Sequence, residues 1–263
     1  MSDETTNKFS LVDLPEVPDS VDNAVKNLTD KPTQNIGQTF ADAWYLVFGG
    51  ISQKAEKRRM QYAHDLECYQ KELTESIDKI PNDKRIEPSI QVTAQALDNS
   101  KYCISSEKLR KMFVNLISGT MNKDTEPLIH PSFPEILKQM NEKDAKILKE
   151  IKTSRSLPIG KIGIRNEKGG FIPLLVDACV LPSTHLSLQD IAVSLASLER
   201  AGLVRISYAE WLNDESCYSA LRETSIYKQA EEISNKFHSN VYFAKGICSL
   251  TNLGLSFISV CVS

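Results

Sequence analysis

Four cations follow a glycine pair in the stretch ADAWYLVFGGISQKAEKRR, where Lys54, Lys57, Arg58 and Arg59 come after Gly49 and Gly50. Amines and guanidinium groups at this density attract anions such as phosphate, nucleic acid or a charged lipid surface. A phosphate-cradling loop would need a strand before the glycines and a lysine with Ser or Thr after them. The apolar residues before Gly49 recur at helical spacing instead, and no such lysine motif follows. A membrane-surface contact fits better, with Trp44, Tyr45 and Phe48 as interfacial aromatics and each cation worth about 1 kcal/mol near anionic headgroups. An amphipathic helix of this kind is more commonly buried, so the bland expectation is a core helix, a glycine bend and a charged second helix. Lys54, Lys57, Arg58 and Arg59 are the candidate anion or partner contacts. Trp44, Tyr45, Phe48, Gly49 and Gly50 are candidate interface residues.

Other reactive residues are scattered. His130, in IHPSF, is a further candidate interface residue, because imidazole titrates near neutral pH; the plain alternative is that His130-Pro131 shapes the entry to the next helix. His64 and Cys68 lie one helical turn apart, but a zinc site needs a second pair of ligands, so no metal is expected. No nucleophile elbow, zinc-protease motif or paired acid motif is present in the sequence. The reading is therefore of a binding protein without catalytic residues or cofactor. The six cysteines form no C-x-x-C pair and are expected to be reduced and mostly buried.

These residues need elements to hold them. The chain has 263 residues, of which 41% are hydrophobic, enough for one large or two modest cores. Its apolar runs are too short to span a bilayer, and MSDETTNKFS lacks the basic and apolar regions of an export signal, so a cytoplasmic protein is expected. Residues 1–35 carry seven acids and three bases and read as a flexible acidic tail. Helical periodicity then runs through 36–48, Tyr62 to Ile80, Ile90 to Leu97 with Ile90, Ala94 and Leu97 inward, and Leu109 to Ile117 after a Ser105-Ser106 cap. A proline-rich break at 122–134 separates a helical domain, 36–125, from a second domain, 126–263.

In the second part, Asn141 and Ser187 read as helix caps, and Lys161 to Ile164 with Phe171 to Val176 as a hairpin. LASLERAGLVRIS passes from a helix through a glycine stop into a strand, as in winged-helix domains. A second strand, Val241 to Leu250, leads to Thr251 and a terminal helix. Residues 214–238 read as one inserted helix between the two strands. The fold class is mainly α with a small β component: an N-terminal helical bundle or hairpin plus a winged-helix-like α+β module. The candidate recognition helix, Ser187 to Arg200, would expose Gln189, Asp190, Ser194, Ser197, Glu199 and Arg200. That face is not basic, which favours protein contact over DNA readout.

The ordered series IGQTFADAWYLVFGGISQKAEKRR, KIPNDKRIEP, LRKMFVNLISGTM, HPSFPEILKQMNEKDAKILKEI and LASLERAGLVRIS resembles the abortive-infection alpha family and covers most of residues 36–210. The resemblance implies a cytosolic bacterial or mobile-element protein that limits phage propagation, and it brings no catalytic residues. A protein partner or self-association is the leading expectation. Nucleic-acid binding through the C-terminal module and peripheral membrane action through helix 36–48 are the alternatives.

Overall fold

Tyr62, Leu66, Tyr69 and Leu73 recur at three and four residues, and this stripe seats helix α1 (Glu56–Asp78) on its neighbours. The computed structural model describes Phe40, Ala43, Trp44, Val47, Phe48 and residues 56–166 and 169–262. The acidic tail, Tyr45, Gly49, Gly50 and Lys54 lie outside the described residues, as do the side chains of Lys57, Arg58 and Arg59. Phe40, Trp44 and Phe48 are helical and buried, with the Trp44 ring 4.5 Å from Phe48 and 5.6 Å from Tyr69 of α1. The apolar stripe ahead of the glycines is thus core in this conformation.

Helices α2 (Ile90–Ser100), α3 (Glu107–Gly119) and α4 (Phe133–Gln139) complete the N-terminal layer, with α3 packed between α1 and α2. The inward face of α2 differs from the expected one. Val92, Ala96 and Leu97 are buried, whereas Ile90 is 63% exposed because it opens the helix on the side away from α3 and α4. Ser106 stands at the N-cap of α3 but makes no capping bond; its hydroxyl donates instead to Glu142 at 2.8 Å. Two of the charges inside this layer are paired. Arg110 of α3 donates to both carboxylate oxygens of Glu72 on α1, at 3.1 and 2.8 Å, and to the Ile104 carbonyl at 2.9 Å.

The proline-rich segment carries a 3-10 turn and is tied back to the 82–86 turn by Ile86 N–H to Met121 O and Lys123 N–H to Lys84 O. Helix α5 (Glu142–Ser154) then starts on a complete capping box of Asn141 and Asp144. Four strands follow as one antiparallel sheet in the order β2-β1-β4-β3: β1 Ser156–Arg165, β2 Phe171–Ala178, β3 Val204–Ser207 and β4 Asn240–Leu250. The expected hairpin is present, and β1 is longer than its sequence signal because it pairs with β4 along its whole length, from Ser156↔Ser249 to Arg165↔Asn240. Between β1 and β2 the register slips, with Gly160 opposite Ala178 and Ile162 opposite Leu175. The bulge puts Asp177 at φ 59°, and Tyr208 both accepts from its N–H and donates to its carboxylate.

Between β2 and β3 lies α6 (Leu188–Arg200), capped by Ser187 and ended by Gly202 at φ 75°, a left-handed position that glycine enters without strain. Ser194 is buried at 2% exposure, contrary to the expected outward position, because the helix packs on α5, β2 and β3 together. Residues 214–238 form three pieces rather than one helix: a 3-10 turn at Glu215–Tyr218, α7 (Ser219–Arg222) and α8 (Ser225–Lys236). The Thr224 hydroxyl caps α8 and Tyr218 is fixed by donating to Gly246 O at 2.9 Å, so the chain must bend between them. Helix α9 (Asn252–Cys261) starts on Thr251, whose hydroxyl donates to Gly202 O at 2.6 Å.

The protein is mainly α with a small β component. Its larger apolar cluster draws on both sides of position 125/126, from Trp44, Tyr69 and Phe113 to Ile151, Leu195 and Phe257. A hydrogen bond from the Asn115 amide on α3 to the Cys261 carbonyl at the end of α9, 3.0 Å long, crosses that position directly, and the edge-to-face pair of Phe133 on α4 and Phe257 on α9, 5.1 Å apart, packs beside α9. A smaller cluster, centred on Ile162, Tyr218 and Leu221, lies under α7 and α8 on the sheet.

Candidate anion-binding groove

Lysines repeat every third residue along α5, at 143, 146, 149 and 152, and α3 carries Lys108 and Lys111 at the same interval. Residues three apart fall on neighbouring faces of successive turns, so each helix carries a short row of cations. The Ser106–Glu142 hydrogen bond brings the N-terminal ends of α3 and α5 together. A cavity of about 310 Å³ lies between the rows, lined by Lys108, Lys111, Lys146 and Lys149 with Glu107, and floored by Met112, Ala145 and Val262. Four cations thus face one acid, in a chain whose total charge is −3.

The internal pairing is incomplete. Glu107 and Lys111 form an i,i+4 pair at 2.5 Å, which lowers the carboxyl pKa and raises that of the amine. Lys146 donates weakly to Thr184 O at 3.4 Å. Lys108 and Lys149 are exposed, and their side-chain amines have no ion pair or hydrogen bond among the described residues. Unbalanced amines confined to one groove repel each other, and an anion bound among them relieves that repulsion.

A second cavity of about 420 Å³ continues along the same two helices. It is bounded by Asn115 and Ser118 of α3, Lys152 of α5 and Ser259 of α9, with Ile80 and Pro81 as an apolar wall. Val262 lines both cavities, and its carbonyl accepts from Lys152 at 2.5 Å. Asn115 donates to Cys261 O at 3.0 Å, so the end of α9 is fastened between α3 and α5.

Of the residues singled out from sequence, Trp44, Phe48 and His130 are described and lie outside the lining of both cavities. Trp44 and Phe48 are core, and Lys57, Arg58 and Arg59 occupy the first turn of α1. His130 is exposed; its Nδ1 accepts from Ser132 N–H at 3.2 Å and lies 2.8 Å from the Ser132 hydroxyl, while its carbonyl accepts from Phe133 N–H at 3.0 Å. These bonds shape the entrance to α4. His64 Nε2 and Cys68 Sγ are 3.7 Å apart, and no group of three metal-binding side chains occurs among the described residues. Cys103, Cys179, Cys248 and Cys261 are buried, Cys68 and Cys217 half-buried, and none is in a disulfide. On α6, Asp190 pairs with Lys143 at 2.6 Å and Glu199 accepts from Ile206 N–H at 2.8 Å, which occupies two of its outward polar groups.

A mainly helical chain with a small antiparallel sheet and a lysine-lined groove is the class of protein defined so far. The family model described as abortive infection alpha matches residues 61–261, a span that contains both lysine rows, and the chain belongs to that family. Residues 36–59, with the basic cluster that follows the glycine pair, precede the match. No curated protein and no solved structure matches the chain. No helix among the described residues is long and apolar enough to cross a membrane.

Proposed function

We propose that this chain acts in abortive infection, in the cytoplasm of a phage-infected bacterium, by binding an anionic phage or host component in the groove between α3 and α5. The observation that carries the reading is the concentration of Lys108, Lys111, Lys146 and Lys149 around one cavity with a single acid among them. Membership of the abortive-infection alpha family supplies the context of phage defence. The groove is a contact surface in this reading, and defence needs no bond to be made or broken there. Helix α6, β3 and β4 form a winged-helix-like unit with α7 and α8 inserted, a reading supported by the antiparallel pairing of β3 with β4. That unit positions α5 and α9, and it leaves anion contact to the lysine rows.

Phage plating on cells that express the whole chain tests the proposal. Lys108→Glu with Lys149→Glu reverses the two unpaired charges and is expected to abolish protection at equal protein level. Lys228→Glu, an exposed lysine on α8, is expected to leave protection intact. Full protection by the double groove variant would overturn the proposal.

A further inference from the structure

The two cavities lie in sequence along one pair of helices. On α3, Lys108 and Lys111 come before Asn115 and Ser118; on α5, Lys146 and Lys149 come before Lys152. Because the helices start side by side, the cationic turns are level with each other, and the Asn115 and Ser118 turns that follow on α3 share the second cavity with Lys152 of α5. Val262 stands where the compartments meet. One compartment offers four amines, and the other sets amide and hydroxyl groups and an apolar wall beside Lys79 and Lys152.

The chemistry of the cationic part points to phosphate. All four of its cations are lysines, which engage phosphate oxygens as mobile point charges, and two or more phosphate groups supply enough negative charge to meet several of them at once. The neighbouring part suits the other half of a ligand. The Asn115 amide and the Ser118 and Ser259 hydroxyls donate to Cys261 O, Asn115 O and Ser256 O, which leaves their oxygens to accept from sugar hydroxyls and base amines, and Ile80 with Pro81 gives a flat base a dry surface. Volumes of about 310 and 420 Å³ are those of a small-molecule site.

We propose that the compartments form one bipartite site for a nucleotide carrying two or more phosphate groups, the phosphates among Lys108, Lys111, Lys146 and Lys149 and the nucleoside between Asn115 and Ser259. The proposal rests on the functional reading of the groove and gives its anionic component a chemical class. The nucleotide would touch α3, α5 and α9 at once, the three helices whose ends are fastened together at Val262. Occupancy therefore reports on the packing of the protein's two parts.

Calorimetric titration of the whole purified protein with ATP, sodium triphosphate and adenosine tests the site. ATP is expected to bind, triphosphate to compete with it, and adenosine alone to bind at least about tenfold more weakly, since it lacks every charge-assisted contact. Lys108→Glu with Lys149→Glu should weaken ATP by about tenfold or more, and the Lys→Gln pair less so. Ser259→Phe, which fills the polar compartment from an exposed position on α9, should weaken ATP and leave triphosphate unchanged. No ATP binding at millimolar concentration overturns the proposal, as does ATP affinity unchanged by the lysine pair. A short single-stranded oligonucleotide that binds at the lysines and is not displaced by ATP also overturns it, in favour of a polymer ligand. If ATP fails to bind but the lysine pair still abolishes defence, the nucleotide assignment is wrong and the functional reading stands. If ATP binds through the lysines but cells carrying the lysine-pair variant stay protected, the nucleotide site stands and the functional reading is wrong.

Discussion

Replacing Arg110 by methionine keeps the length and most of the volume of the side chain while deleting every hydrogen bond it donates. The guanidinium is only 9% exposed and makes a two-pronged contact with Glu72 plus a third bond to Ile104 O. Breaking a buried pair by removing one partner costs about 3–5 kcal/mol, because the other charge is left without compensation. Glu72 is 25% exposed and can recover some water, which brings the expected loss to about 2–3 kcal/mol. For a chain of this size that is a fall in midpoint of about 5–10 °C, read by far-ultraviolet circular dichroism on heating. The partner change discriminates between charge pairing and packing. Arg110→Met with Glu72→Leu removes both charges, and replacing a buried pair by apolar groups is close to neutral, so the double variant should regain most of the loss. A single variant within about 1 °C of the parent, or a double variant that loses the sum of two single losses, would refute the account. The test bears on function as well, since the Arg110 turn carries Lys108 and Lys111.

Other consequences concern close contacts and buried thiols. A β-carbon at Gly254 would come within 1.9 Å of Leu203 O, so Gly254→Ala must displace α9 from the start of β3; a loss of about 3 kcal/mol is expected in urea unfolding. A midpoint equal to the parent's would show that α9 does not need this close approach. Burial pushes the Cys179 and Cys248 thiols from 9.0 up to about 12. The unfolded thiols ionise first as pH rises, so the folded state binds more protons between those values and stability falls with increasing pH there. Urea midpoints that drop across this range, and drop less in a Cys179→Ala, Cys248→Ala protein, are the expected result. In the native protein an alkylating reagent should modify half-buried Cys68 and Cys217 before the four buried thiols.

Local signals in the sequence predicted local structure well. Asn141, Ser187 and Thr251 all cap helices through their side chains, because the bond each makes is to an amide two or three residues away. The passage from α6 through Gly202 into β3 is equally local. Ser106 has the same chemistry but gives its hydroxyl to Glu142, 36 residues on, which no neighbouring residue announces. Ile90 and Ser194 depart from expectation for a related reason: a helical stripe names a face, and the packing partners decide how wide the buried face is. The groove is legible in the sequence only in halves. Lys108 and Lys111, and the every-third-residue lysines of α5, are visible as spacing, but each row alone is an ordinary solvated face. Only the side-by-side start of α3 and α5 brings them to one groove, whereas Lys54, Lys57, Arg58 and Arg59 stand out because they fall within one six-residue stretch.

The attachment of α9 to α3 also sets a timetable for synthesis. Asn115 and Cys261, joined by a hydrogen bond, are 146 positions apart. At a translation rate of about 5–20 residues per second, the second partner leaves the ribosome about 7–30 s after the first. The face of α3 that α9 will cover, next to the lysine rows, stays open for that interval. Newly made chains therefore pass through a period in which chaperones have access to a surface that folded molecules conceal, and a ribosome stalled before residues 252–261 have emerged would hold the protein in that open form.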